Sequence, residues 1–364
     1  MGRVDRCLQE DIPAVADLHN KVFFQRAEAS SEGLRSYYRT VFFGNPWYDD
    51  KLPSLVYRSG GRVTGFLGCV PRRMQIGGQS IRVVTLHRLL VAPDIESPLA
   101  AFQLVQEMLS GSQDLTIADG VNDKGRKILE WSGASVSPVY SMKWLRPLRP
   151  CSFAFNMLSK RGPSLGLISI TGRPFGTLVD AIACRLAGSP FVLRRPDTRE
   201  VELGAEMLLR GVEEFSRSHL LRPAYDLRSL EWLLKALKDN EGRGEFCGFG
   251  ILGKEDQFIG LSLYYLNSAR VAEIMLLAGR DDARDSVLRH LMYRTWRAGG
   301  VGLIGRLEPK FLQAFSDQDC LMKPGDWAFV HARDPELVHI INRGEAFISA
   351  LEGELWLRSP MDRL

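Results

Sequence analysis

The chain has 364 residues, 45% apolar and 25% charged, with 47 basic and 43 acidic side chains and a net charge of +4. At roughly 150 residues per domain, this ordinary globular composition predicts two domains. The scattered basic residues make no nucleic-acid stripe, and no run of about 18 uncharged apolar residues predicts a membrane span.

The N-terminus has no apolar stretch of the kind a secretory signal needs, so none is expected. Cys7, Cys69, Cys151, Cys184, Cys247 and Cys320 are dispersed. They form no CxxC pair and no Cys/His ligand cluster, so no metal is expected, and reduced thiols suit a cytoplasmic protein.

In chain order, Arg3–Cys7 predicts a strand. A helix follows, with Asp11 as N-cap, Pro13 in its first turn and Val15, Leu18, Val22 and Phe23 at helical spacing. A second helix runs from Ser30 through Leu34, Tyr37, Tyr38 and Val41 to Phe42. Strands are predicted at Leu55–Arg58, Val63–Met74 and Ile81–Val91, joined by Gly60-Gly61 and Gly77-Gly78 turns. Then come helix Pro98–Leu109, strand Leu115–Ala118, helix Asn122–Trp131 and strand Val136–Leu145. This closes a first domain at 1–147.

Residues 148–199 are punctuated by Pro and Gly and read as a linker. Phe175, Leu178, Val179, Ile182 and Leu186 lie on one face of a helix within it. That face predicts packing between domains; membrane docking needs a stronger basic face. From Arg199 the order of elements starts again. A strand at Val201–Leu203 and helices at Glu206–Arg217 and Asp226–Lys238 lead into three strands across 245–279. Helix Asp285–Ala298, strand Val301–Arg306, helix Glu308–Phe315 and strand Ala328–Ala332 follow. This predicts a second domain at 200–332 and a helical tail at 333–364.

Several stretches carry a resemblance to the GCN5-related N-acetyltransferase (GNAT) superfamily. "DRCLQEDIPAVADLHNKVF" resembles its first strand and helix, and "RVTGFLGCV" its third strand. "VVTLHRLLVAPDIESPLAAFQLVQEML" resembles its fourth strand, pyrophosphate loop and third helix. "ADGVNDKGRKILEWSGAS" resembles its fifth strand and fourth helix. The expected fold is α+β: two GNAT-like domains in tandem, each a mixed, mostly antiparallel sheet flanked by helices.

The resemblance implies an acyl-CoA-dependent N-acyltransferase, using acetyl-CoA or another acyl-CoA as donor. The acceptor would be a small-molecule amine such as an amino sugar, amino acid or metabolite. It implies that the backbone of Leu89, Leu90 and Val91 bonds the acyl carbonyl and pantetheine, and that Glu96, Ser97, Leu99, Ala100 and Ala101 face the pyrophosphate. The family pattern at the loop maps onto Glu96, Leu99 and Ala101, and only Ala101 fits. Helix N–H groups and dipole still favour phosphate there. Against it, Pro98 removes a donor, Leu99 limits approach and Glu96 repels. At about 1 kcal/mol each, these weaken coenzyme binding tenfold or more.

Acyl transfer needs a base for the amine proton and an acid for the leaving thiolate. The resemblance implies a histidine base at this point of the fourth strand, and His87, which shares a strand face with Thr85, is the expected base if that face looks into the cleft; a hydrogen-bonded structural histidine is the alternative. The family's acid tyrosine falls on Leu129, and Tyr140 is the substitute. Asp119 orients an amine or caps a turn. Asn122 is an N-cap, and the resemblance also allows a coenzyme contact. Glu273, in the second half, is a base or a surface carboxylate. Two alternatives to the acyl-CoA enzyme stand: a Fem-like aminoacyl transferase, and a degenerate GNAT module with a scaffold role.

Overall fold

A computed structural model describes residues 2–24, 32–93, 99–159, 176–186, 188–354 and 356. They divide into two units. One comprises Met1–Ser141, Ser218–Ala236 and Gly325–Leu364; the other comprises Met142–Arg217 and Leu237–Pro324.

The first unit opens with β1 (Arg3–Arg6), α1 (Ile12–Phe24) and α2 (Glu32–Phe42). Asp11 is not the N-cap of α1. Its carboxylate turns back to accept from the Leu8 N–H at 3.0 Å and pairs with Arg58 at 2.8 Å, which outweighs capping. The antiparallel meander β2 (Leu55–Ser59), β3 (Arg62–Ile76) and β4 (Gln79–Val91) follows. Its turns use Gly60-Gly61 and Gly77-Gly78, all four at positive φ, as two-residue hairpins require. Next are α3 (Leu99–Leu109), β5 (Leu115–Val121), α4 (Asp123–Trp131) and the short β6 (Ser135–Val136).

The second unit begins with β7 (Met142–Pro147), α5 (Pro150–Ser159) and the helix α6 (176–183). β8 (Arg199–Glu202) and α7 (Ala205–Phe215) follow. The chain then returns to the first unit for β9 (Leu221–Pro223) and most of α8 (Leu227–Lys238). The second meander is β10 (Glu245–Leu252), β11 (Phe258–Leu266) and β12 (Val271–Gly279), succeeded by α9 (Arg284–Arg297), β13 (Gly302–Arg306), α10 (Leu312–Asp317) and β14 (Leu321–Pro324). Finally β15 (Trp327–Ala332) and α11 (Pro335–Asn342) belong to the first unit.

The first sheet has the order β1-β2-β3-β4-β5-β15-β6, with β9 added on β3; the second has β14-β7-β13-β12-β11-β10-β8. Two strands therefore sit elsewhere than sequence order predicts. β7, expected to close the first domain, pairs with β13 and β14 in the second sheet. β15, expected to close the second, pairs with β5 and β6 in the first. The reason lies in packing. Trp144 of β7 faces Gly305 across the β13 ladder, where a Cβ would lie 2.9 Å from the indole nitrogen, and its ring stacks on Phe315 at 4.6 Å.

Each sheet is covered by helices whose apolar faces supply the cores. On one face of the first sheet, Ala100, Leu104, Val105 and Met108 of α3 bury Val84, Leu86 and Ala118. On the other face, Leu337, Ile340 and Ile341 of α11 bury Val83, Leu115 and Ile117. Strand alternation thus turns Thr85 and His87 away from α3. In the second unit, Val287, Leu288, Leu291 and Met292 of α9 pack among Phe249, Ile251 and Ile274.

The apolar face of α6 is not packed as expected: Leu178, Val179, Ile182 and Leu186 are 60%, 49%, 57% and 62% exposed. The opposite, polar side holds the helix. Buried Asp180 accepts from the N–H groups of Cys151 and Ser152 at the start of α5, and from the Ser152 hydroxyl. Phe175 lies outside the described residues.

Candidate active site

The site begins with a parting of strands. β4 and β5 pair in parallel only from Val83–Thr85 to Leu115–Ile117. Beyond this, β4 runs on to Val91 beside β3, while β5 runs on to Val121 beside β15. A bulge sets the divergence: Gly68 and Phe66 face His87 and Leu90, so Leu67 stands opposite both Arg88 and Leu89. Arg88 takes a φ of 61°, uncommon for a side-chain-bearing residue and a local strain. The result is a wedge whose β4 edge has no β5 partner after Thr85.

His87 stands at the mouth of this wedge, 1% exposed. Its Nδ1 is 3.1 Å from Glu354 Oε2, and its Nε2 is 2.8 Å from the Tyr37 hydroxyl. A carboxylate only accepts, so it sets Nδ1 as the protonated nitrogen and leaves the Nε2 lone pair toward Tyr37. Phe42 lies against the imidazole, ring centroids 5.6 Å apart. Burial pushes the Tyr37 phenol up to about 12, opposed by neighbouring Arg88, so Tyr37 stays a neutral O–H donor at physiological pH.

Glu354 reaches His87 because two glycines clear its path. Gly120 sits at φ 68°, and a Cβ there would be 2.6 Å from Glu354 Oε1; a Cβ on Gly353 would collide with the Asp119 carboxylate. Asp119, 2% exposed, accepts from the Glu354 backbone N–H. The segment before it crosses the same sheet face. Thr85 donates to the Glu352 carbonyl at 2.8 Å, and Arg72 to the Leu351 carbonyl at 3.1 Å. Asp119 therefore anchors the chain that carries the carboxylate.

The other expected residues fall as follows. Tyr140 is buried and donates to the Ala346 carbonyl, so its hydroxyl is committed to structure; the tyrosine brought to His87 is Tyr37. Leu89 and Val91 are half-buried and Leu90 is buried along the wedge's β4 edge. Leu99 is 47% exposed at the first position of α3, while Ala100 and Ala101 are buried. Glu96 and Ser97 lie outside the described residues. Asn122 caps α4, accepting from Lys124 and Gly125 N–H at 3.1 and 2.9 Å. Tyr37, Arg88 and Glu354 were missed in the sequence. Among the described residues, no group of three His, Cys, Asp or Glu side chains is placed to hold a metal ion.

The second unit repeats the parting in weaker form: β12 and β13 pair from Val271–Ile274 to Gly302–Gly305, and β12 continues to Gly279. Glu273 accepts there from Asn267 and Arg243 at 2.9 and 3.1 Å. No histidine stands on that strand.

Buried His19 packs behind Tyr38, 2.9 Å from its hydroxyl. Burial first, then Arg88, lowers its pKa from 6.5 to about 3. The folded state keeps it neutral while the unfolded chain takes up a proton, so stability falls as pH drops from 6.5 towards 3. His19→Gln is expected to flatten the urea-midpoint profile across that window. An unchanged slope would show that His19 does not drive acid sensitivity.

No protein-family model matches the sequence, and no curated protein sequence matches it. Solved structures do match in fold. A protein of unknown function from Enterococcus faecalis, described as a probable N-acyltransferase, superposes with TM-score 0.61 at 11% identity, covering 91% of this chain and 72% of its own. A GCN5-related N-acetyltransferase from Kribbella flavida gives 0.54 at 14% identity, covering 91% and 72%. The Saccharomyces cerevisiae N-myristoyltransferase, with myristoyl-CoA bound, gives 0.52 at 10%, covering 90% and 78%. The chain has the GNAT fold in tandem, two mostly antiparallel sheets flanked by helices.

Proposed function

We propose that this chain is an acyl-CoA-dependent N-acyltransferase whose reaction takes place at the β4/β5 wedge of the first unit. The observation that carries this reading is the carboxylate-backed imidazole of His87 at the mouth of the wedge. The neighbouring folds belong to acyltransferases, one of them holding an acyl-CoA.

In this reading the unpaired β4 edge, Leu89 to Val91, bonds the pantetheine and the thioester carbonyl. The start of α3 at Leu99–Ala101 takes the pyrophosphate, with Ala100 and Ala101 keeping the helix close to the sheet. The substrate amine attacks the thioester carbon. His87 Nε2 receives a proton from the Tyr37 hydroxyl as that hydroxyl takes up the amine's, and Glu354 stabilises the imidazolium. Collapse of the tetrahedral species breaks the C–S bond, and the thiolate recovers a proton from this same relay. Asp119 acts by positioning Glu354. The acceptor is proposed as a small-molecule amine and the compartment as the cytoplasm. No described helix is long and apolar enough to cross a membrane.

The test is thermal denaturation with acetyl-CoA, a long-chain acyl-CoA and free CoA. A ligand at a hundredfold its dissociation constant stabilises by about 2.7 kcal/mol, a rise of several degrees in Tm. No response to any of the three at millimolar concentration would reject the proposal and favour the scaffold alternative. A response to long-chain acyl-CoA alone would keep the enzyme class and exclude acetyl as the group transferred.

A further inference from the structure

The second unit holds an open cleft of about 570 Å³ between the start of β8, the start of β10 and the C-terminal half of α9. That volume is in the range of small-molecule sites. Four arginines line it: Arg195, Arg199, Arg294 and Arg297. Two are already used, Arg294 on Glu200 at 2.7 Å and Arg199 on Asp256. Arg195 and Arg297 are exposed, with no ion-pair partner among the described residues. Against these four cations stand the carboxylates of Glu200 and Glu245 in the lining and of Asp256 on Arg199, leaving a net excess of one positive charge.

The second observation is a buried group without a partner. His290 is 5% exposed and lines this cleft, and its Nε2 makes no hydrogen bond. Its Nδ1 meets the Thr198 hydroxyl at 2.7 Å. With Thr198 donating to Nδ1, Nε2 carries the proton, consistent with the Glu200 carboxylate standing 3.9 Å from it. Burial lowers the His290 pKa, with Arg294 adding to the effect and Glu200 opposing it, so the ring is neutral at physiological pH. An orphaned buried donor in the wall of the same cleft as two uncommitted guanidinium groups calls for an acceptor that is compact and anionic. Tyr293, half-buried in the wall, adds an aromatic surface beside it.

We infer that this cleft binds a soluble phosphate monoester, with the phosphate held by Arg195, Arg297 and the Nε2–H of His290. A phosphate presents oxygens in several directions, as three separate donors require; a carboxylate offers its two in one plane. Every residue in the cleft belongs to the second unit, and the proposal does not rest on the acyl-transfer reading.

The test is isothermal titration with inorganic phosphate and with glycerol 3-phosphate, at ionic strength matched with sodium chloride. The expected result is saturable binding, weakened about tenfold or more in the Arg195→Ala/Arg297→Ala double variant. Both side chains are exposed, so the fold is expected to survive. His290→Gln, which keeps a side-chain N–H donor, is expected to retain more affinity than His290→Ala. Equal affinity in the double variant would place the ion elsewhere and overturn the assignment. So would absence of binding at tens of millimolar, or binding only to vesicles containing phosphatidic acid.

Discussion

Replacing His87 with glutamine is expected to lower acyl-transfer turnover by about 10²–10⁴, the range for removal of a positioned general base. Acyl-CoA stabilisation should persist. Glutamine keeps an amide that can bond Glu354 and Tyr37, so the buried site is not left with two unpaired groups. What it lacks is a nitrogen that titrates. Both partners are defined, Glu354 at 3.1 Å and Tyr37 at 2.8 Å, so the deficit should be divisible. Glu354→Gln removes the charge that holds Nδ1 protonated and should cost less than the loss of His87 itself. The double variant should then be little worse than His87→Gln alone, because residues that act as one relay are not additive. Full turnover in His87→Gln would exclude the imidazole as base.

Trp144→Ala is expected to destabilise the second unit by about 3–5 kcal/mol, the usual cost of truncating a buried aromatic. Trp144 is 1% exposed, stacks on Phe315 and fills the space left by Gly305. Its partners across the two ladders are Gly305 and Met322, so only one flank offers a side chain that could move into the hole. A midpoint alone would not say which of the two units had been weakened. Hydrogen exchange separates them. Protection should fall at Gly302–Arg306 and Leu321–Pro324, the strands on either side of β7, and hold at Leu115–Val121. Loss confined to the Leu115–Val121 sheet would contradict the placement of β7.

Much of this architecture is written locally. The Gly-Gly pairs mark the hairpins, and the spacing of Leu104, Val105 and Met108 marks the face of α3, because turns and amphipathic helices are encoded within a few residues. The exchange of β7 and β15 is not. Alternation identifies a strand and its two faces, but it does not name the neighbour. That choice rests on matches such as Trp144 with Gly305, 161 positions apart by subtraction of their numbers.

The same distinction runs through the site. His87 was legible because it lies on a strong strand at the point where the family resemblance implies a histidine. Glu354 was not, being 267 positions away on an irregular segment. The only signals for it in the sequence are Gly120 and Gly353, whose purpose is visible only once the backbone is seen to approach so closely. Tyr37 was read as one apolar position of an amphipathic helix. Tyr140 reads in the sequence as a substitute acid on the strand that follows α4. Instead the chain turns after β6, and the hydroxyl bonds Ala346.

The account turns on whether an acyl-CoA occupies the β4/β5 wedge. Hydrogen exchange of the wild-type chain, with and without a saturating acyl-CoA, measures this directly. Protection is predicted along His87–Val91 and at the first turn of α3, Leu99–Ala101, with little change from Val271 to Arg297. No change at either wedge segment, or protection confined to the second unit, would contradict it.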